Sequence, residues 1–158
     1  MRTYFAEVLT RERARLADVR DNATLETWRQ DLVAEIMTPG SPYLAALWEA
    51  NEEASDRAEF LDQWRDLIAR MIEQVSQCCG FDDGETATPH HRVESVDSEK
   101  TAVLILAALH GGVILTRLVR DSQPLNAALD LALGPLMTAE GTSVARTGPD
   151  RPVSNMDV

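Results

Sequence analysis

Two histidines and three carboxylates that could bind a metal lie near one another in the sequence: His90, His91, Asp82, Asp83 and Glu94. Imidazoles and carboxylates bind zinc, but specific zinc motifs space their ligands i, i+4 on a helix or use paired cysteines. These five residues have neither arrangement, because no helix is predicted around them and none of them is a cysteine. The surrounding residues 81–97 are polar and include a glycine and a proline, which predicts a mobile loop. We therefore expect a solvated loop and no metal site.

Other catalytic signatures are equally weak. Cys78 and Cys79 are adjacent and lack the CxxC spacing of redox motifs, and neighbouring cysteines rarely form a disulfide. Five carboxylates crowd one region, but the sequence has no Glu-x-x-His pair typical of a diiron bundle: Glu49, Glu52, Glu53, Asp56 and Glu59. It also has no glycine-rich phosphate loop and no nucleophile elbow. We predict that the chain is not an enzyme and needs no cofactor.

A binding pocket is the more specific possibility. His110 lies within a run of apolar residues, where it is either a core histidine or a polar contact in a ligand cavity or across a dimer. Three tryptophans on three predicted helices form either part of the core or, with a few polar groups, an apolar pocket. The residues predicted to line such a pocket are Trp28, Trp48, Trp64, Ile68, Met71 and His110.

The segment Thr101–Arg120 is nearly free of charge and carries a Gly-Gly pair. Glycine inside a helix costs about 1 kcal/mol relative to alanine, so a pair indicates a close approach that needs the missing side chains. We expect one side of this helix to pack into its own chain and the other to meet a second copy. The residues predicted at that dimer contact are Ile105, Ala108, Gly111, Gly112, Leu115, Val119, Leu125 and Leu129. The alternative is a single central helix of a monomeric bundle, kinked at the glycines.

Apolar residues at helical spacing predict six main helices, and no strand-like alternation occurs. The expected fold class is an all-α helical bundle over residues 1–137, followed by a disordered tail over 138–158. The predicted helices cover Tyr4 to Val19, about Thr24 to Met37, Pro42 to about Glu53, Ser55 to Gly80, a central helix capped by Asp97 or Ser98, and a last helix that Gly134-Pro135 should end or bend.

The composition limits the partners. The 158 residues carry a formal net charge of −11, with acidic residues spread along the chain. This argues against a nucleic-acid surface or an anionic membrane, both of which require clustered Lys and Arg. The apolar run from Ala102 stops at His110, short of the ~18 residues that span a bilayer. The N-terminus lacks the apolar core of a signal peptide, so we expect a cytoplasmic protein.

One family resemblance emerges from the last third of the chain. AVLILAALHGGVILTRLVRDSQPLNAALDLAL resembles the last two helices of the ligand-binding domain of TetR-family (tetracycline-repressor-like) bacterial transcriptional regulators, including a turn of the Asp-x-x-Pro-Leu kind at Asp121, Pro124 and Leu125. The upstream TPGSPYLAALWEANEEASDRAEFLDQW is similar to that family's middle helices. The resemblance covers roughly residues 3–137. It implies a homodimer in which the last two helices of each subunit form a four-helix bundle, with a small-molecule cavity among the preceding helices.

The chain departs from the family in lacking its N-terminal helix-turn-helix of about fifty residues, which reads the DNA major groove. Its first helix resembles the family's linking helix, entered partway, so we expect a truncated regulator or a natural fragment that binds DNA only through the absent domain. Two other hypotheses remain: a helical adaptor that binds a protein and no small molecule, and a helical enzyme that uses the His90-His91 loop.

Overall fold

The computed structural model describes residues 3–48, 54–78 and 97–137, and this part of the chain is entirely helical. It contains six helices and no strands, as the sequence predicted: α1 (Thr3–Ala17), α2 (Asn22–Met37), α3 (Pro42–Trp48), α4 (Ala54–Cys78), α5 (Ser98–Val119) and α6 (Gln123–Met137). The loop predicted over residues 81–97 lies outside the described residues except for Asp97, and so do Glu49, Glu52, Glu53, Cys79 and the predicted tail.

Side-chain caps fix three of the helix starts. The carboxylate of Asp21 accepts the backbone N–H of Thr24, whose hydroxyl accepts the N–H of Asp21, so the two residues form a reciprocal capping box ahead of α2. Ser41 precedes the proline that opens α3, and its hydroxyl accepts the N–H of Tyr43 at 3.2 Å. Asp97 caps α5 by accepting the N–H of Lys100. These caps lie where the sequence predicted them.

Two boundaries differ from the prediction. The first helix ends at Ala17, and the next two N–H groups bond three residues back, which tightens the final turn. The last helix continues through Pro135 to Met137 and so does not end at Gly134-Pro135. Leu136 is buried, so the core packing of this final turn favours continuing the helix past the proline.

A single hydrophobic core joins all six helices. Helix α5 is central, because it contacts α3, α4 and α6, while α1 contacts α3 and α4. Phe5 of α1 stacks on Phe60 of α4 with ring centroids 4.4 Å apart, and Trp64 lies one turn further along α4. The closest helix pair is α5 with α6. Gly112 permits this approach, because a Cβ there would lie 2.9 Å from the Cα of Leu125.

Candidate functional site

Two of the three tryptophans converge on a carboxylate that the sequence analysis did not single out. Glu12 of α1 is fully buried. Its Oε1 accepts the hydroxyl of Tyr43 at 2.7 Å, and its Oε2 accepts the indole N–H groups of Trp28 at 3.2 Å and of Trp64 at 3.3 Å. Because the four side chains come from α1, α2, α3 and α4, this cluster ties those helices together. We call it the Glu12 cluster.

Burial and hydrogen bonding have opposite effects on the pKa of Glu12. Loss of solvent raises the pKa of Glu12 above 4.5, while the hydrogen bonds from Tyr43, Trp28 and Trp64 and the nearby charge of Arg15 oppose that rise. Arg15 extends the network outward, because it donates to the Tyr43 hydroxyl and to Glu35. A buried carboxylate with three donors is well satisfied, so the cluster serves to hold four helices in register.

A signal for Glu12 was present in the sequence. The apolar stripe of α1 comprises Phe5, Val8, Leu9 and Leu16, and Val19 follows just beyond the helix; all five are buried. Position 12 falls on that stripe between Leu9 and Leu16, so a carboxylate there must be buried and needs partners. Buried tryptophans usually find a partner for their indole N–H, which makes Trp28 and Trp64 natural donors.

The six residues predicted to line a pocket are therefore spread over different environments. Ile68 and Met71 of α4 are buried in the hydrophobic core, with Trp64. Trp48 ends the described part of α3 with its ring 44% exposed. His110 is half-buried, and its Nδ1 lies 2.9 Å from the carbonyl of Leu106 in the preceding turn of α5. Burial and, to a lesser degree, the charge of Arg57 lower the pKa of His110, against the hydrogen bond to Leu106.

An open cleft of about 250 Å³ lies between α2, α3 and α5. Four aliphatic side chains and three polar ones line it: Ile36, Met37, Leu44, Val113, Thr116, Arg117 and Arg120. None of these residues was predicted as a site residue. The cleft is nevertheless next to two that were, since Val113 lies one helical turn beyond His110, and the guanidinium of Arg117 lies over the ring of Trp48 at 4.4 Å. We call this site the α2–α3–α5 cleft.

The polar side of the α2–α3–α5 cleft has an unusual local structure. Thr116 is 3% exposed, and its hydroxyl has no hydrogen-bond partner. Arg120 ends α5 in the left-handed conformation at φ 57°, which costs a non-glycine residue about 1–2 kcal/mol. Its N–H and that of Asp121 both donate to the carbonyl of Thr116, which closes the last turn. The chain therefore reverses where Arg117 and Arg120 face the same cleft.

A second cleft of about 250 Å³ lies between α1 and α2, lined by Arg15, Asp18, Val19, Thr24, Thr27, Trp28 and Asp31. It includes one predicted pocket residue, Trp28. Its charged lining is mixed, and Arg15 is already engaged by Glu35 and Tyr43. Ligand sites combine an apolar lining with a few polar groups that are free to bind. By that criterion the α2–α3–α5 cleft is the better candidate.

One side of α5 is apolar and exposed along its length. We define the outer face of α5 as the exposed residues Val103, Leu104, Ala107, Gly111, Ile114, Leu115 and Leu118. On α6, the neighbouring helix, Leu131 is 82% exposed. Exposed apolar residues in a contiguous set of this kind indicate an interaction surface.

The eight residues predicted at a dimer contact divide between this surface and the interior. Gly111, Leu115 and Val119 are exposed, and Ala108 is half-buried. The other four are buried inside the chain itself and cannot be reached by a second copy: Ile105, Gly112, Leu125 and Leu129. The apolar residues of α5 surround the helix, so their spacing did not indicate which side its own chain would cover. At Gly112, α6 of the same chain lies in contact.

Among the described helices, α5 is long and apolar enough to cross a membrane by length and composition. The sequence predicted an apolar run that stops at His110. One histidine, however, does not lower the mean hydropathy of the helix below the level of a membrane-spanning segment. Core helices of soluble proteins meet the same criterion. Within the most apolar 18-residue window, 39% is buried, so the described chain leaves most of that window uncovered.

No protein-family model, curated protein or solved structure matches the chain. Within the part of the chain that the structure describes, no group of three or more His, Cys, Asp or Glu side chains could hold a metal ion. The candidate sites are thus the α2–α3–α5 cleft and the outer face of α5.

Proposed function

We propose that this chain is the effector-binding and homodimerisation domain of a TetR-like bacterial transcriptional regulator of the cytoplasm. Two copies pair through α5 and α6, and a small, largely apolar molecule binds within each copy. DNA binding belongs to a helix-turn-helix domain outside these 158 residues. The observation that carries the proposal is the apolar outer face of α5, which the rest of the described chain leaves uncovered.

The spacing on this face suits a second pair of helices. Leu104, Ala107, Gly111, Ile114 and Leu118 follow one another in alternating steps of three and four residues. Heptad spacing of this kind packs helices at about 20°, which is the geometry of four-helix bundles. Complete burial of a leucine contributes about 1.5–3 kcal/mol, and Leu118 and Leu131 are 73% and 82% exposed. A partner that covered both helices would bury most of that surface.

The two glycines favour the same arrangement, because they face different neighbours. Gly112 meets α6 of its own chain, whereas a Cβ on Gly111 would meet open space. Gly111 and Ala107 thus form a shallow place on the outer face of α5 where a second helix can approach closely. Gly112 then permits the contact within the chain, and Gly111 permits the contact between copies.

The fold also offers a route from ligand to linking helix. The α2–α3–α5 cleft is lined partly by α3, and α3 contacts both α5 and α1. A ligand in the cleft could therefore shift α1 relative to the α5–α6 pair that holds the dimer. Such coupling requires that the ligand bind one arrangement of the two copies better than another.

The oligomeric state tests the dimer directly. We expect sedimentation equilibrium at micromolar concentration to give twice the chain mass. Leu118→Asp, at the outer face, should give a monomer with unchanged helical circular dichroism. Ala34→Asp introduces the same charge on an exposed position of α2 and should leave the dimer intact.

A wild-type monomer, or a dimer insensitive to Leu118→Asp, would count against the regulator hypothesis. If the wild type is a monomer, its binding properties distinguish two other functions. Co-sedimentation of the monomer with neutral lipid vesicles would instead make α5 a membrane contact. A monomer that binds neither vesicles nor small molecules would favour the helical adaptor.

A further inference from the structure

The α2–α3–α5 cleft has a floor of one chemical kind. Its apolar residues are aliphatic: Ile36, Met37, Leu44 and Val113. The ring of Trp48 lies under the guanidinium of Arg117, and no aromatic residue is part of the lining. Ring stacking is therefore not how this cleft recognises a ligand. A floor of branched and flexible aliphatic side chains suits an aliphatic chain, which gains by removing apolar surface from water.

The hydroxyl of Thr116 is a donor without an acceptor. Thr116 lines the cleft, is nearly fully buried, and makes no side-chain hydrogen bond. Buried hydroxyls usually find a partner, so a missing one calls for an explanation. The hydroxyl is turned away from solvent in this conformation, and rotation about χ1 would bring it to a ligand oxygen in the cleft.

The two cations of the cleft have no carboxylate partner among the described residues. Within the described residues, Arg117 and Arg120 form no ion pair, in contrast to Arg11, Arg15, Arg29 and Arg65. The C-terminal ends of α2 and α5 add only about half a negative charge each. Two guanidiniums outweigh those helix ends, and their planar N–H groups match a carboxylate.

We infer that the α2–α3–α5 cleft binds an aliphatic carboxylate, with its chain on the aliphatic floor and its carboxylate on Thr116, Arg117 and Arg120. This inference rests on the proposed effector-binding function and assigns a chemical class to the effector. It also explains why α5 ends at an arginine in the left-handed conformation, where a glycine would be unstrained. The arginine at that position supplies a second cation to the cleft, which a glycine would not.

The test is calorimetric titration of the full chain with octanoate and, separately, with 1-octanol, which has the same chain length but no charge. We expect octanoate to bind one site per chain and to bind at least about tenfold more tightly than octanol, since hydrogen bonds to a charged group contribute enough for that ratio. Bound octanoate should also raise the thermal midpoint of unfolding, because it binds only the folded state.

Three variants locate the site. Arg117→Gln and Arg120→Gln should each weaken octanoate binding about tenfold or more while changing octanol binding little. Thr116→Val keeps the shape of the side chain and removes only the hydroxyl, so it should weaken octanoate binding without loss of folding. Arg13→Gln is the matched control, because it removes one exposed positive charge on α1, away from the cleft.

Each other outcome overturns the inference. Equal binding of octanoate and octanol, or octanoate binding unaffected by both arginine variants, would mean that the cleft does not recognise a carboxylate. Failure of octanoate to bind at millimolar concentration would also refute it. None of these results alters the sedimentation test of the dimer, so the assignment of the ligand and the proposed regulator function can fail separately.

Discussion

Gly112 of α5 lies so close to Leu125 of α6 that any side chain at position 112 would force the two helices to shift. A Cβ on Gly112 would lie 2.8 Å from the Cδ1 and 2.9 Å from the Cα of Leu125. The side-chain atom could move, but the Cα belongs to the backbone of α6 and moves only with the helix. A Cβ on the adjacent Gly111 would meet open space, with no neighbouring atom within 4 Å.

We expect Gly112→Ala to destabilise the fold by about 1–2 kcal/mol. Overpacking of a core costs about 1–3 kcal/mol, and the better helix propensity of alanine returns part of it. Chemical denaturation followed by circular dichroism measures the change. The measurement should be made on protein that also carries Leu118→Asp, so that association of chains does not contribute to the free energy of unfolding.

The matched variant Gly111→Ala should have the opposite sign in that same background. Because nothing lies near the Cβ that alanine adds at position 111, only the helix propensity changes. We expect stabilisation by up to about 1 kcal/mol. If both alanine variants shift stability in the same direction, the contact between Gly112 and Leu125 does not govern the α5–α6 packing.

The helices of this fold could be predicted from the sequence, but the orientation of the central one could not. Asp21, Ser41 and Asp97 are local signals, because each caps a helix within three residues of itself. The face that α5 turns inward is decided by distant residues such as Leu125. When apolar residues surround a helix, spacing alone does not separate a face that packs internally from a face left for a partner.

The titration of His110 provides a prediction about the α5 environment. Burial, assisted by the charge of Arg57, lowers the pKa of this imidazole below 6.5. Its neutral form thus stabilises the fold above pH 6.5, and that contribution is lost as the pH falls through the folded-state pKa. Nuclear magnetic resonance of the ring protons should show a midpoint below 6.5, assigned by its disappearance in His110→Asn. A midpoint at or above 6.5 would mean that the ring is solvated.

The candidate cleft was harder to predict than the fold, for a physical reason. Its aliphatic residues come from three helices, and its cations, Arg117 and Arg120, are ordinary surface residues by sequence. Arg117 lies in the last turn of α5 and Arg120 is its left-handed C-terminal cap, and both line the same cleft. The tryptophans were conspicuous in sequence, but Trp28 and Trp64 donate to Glu12. Their polar role depended on a carboxylate 16 and 52 residues away.

Removal of the Glu12 carboxylate should strongly destabilise the protein. Glu12→Ala leaves the hydroxyl of Tyr43 and the indole N–H groups of Trp28 and Trp64 without their acceptor. A buried donor left unsatisfied costs about 1–3 kcal/mol, so we expect a loss of at least about 3 kcal/mol in urea denaturation. Glu7→Ala is the control on the same helix. Glu7 is exposed and pairs with Arg11, which is worth no more than about 0.5 kcal/mol.

The pH dependence of stability should identify which influence on Glu12 prevails. Burial raises its pKa above 4.5 despite the hydrogen bonds from Tyr43, Trp28 and Trp64. The folded state therefore holds the proton more tightly than the unfolded chain, and this stabilisation is complete below pH 4.5 and lost as the pH rises through the folded-state pKa. Glu12→Gln cannot titrate there. The stability of the wild type minus that of Glu12→Gln should consequently decrease between about pH 4.5 and neutrality, whereas other titrating groups cancel in the difference. A difference that grows with pH would show that the three donors and Arg15 outweigh the cost of burial.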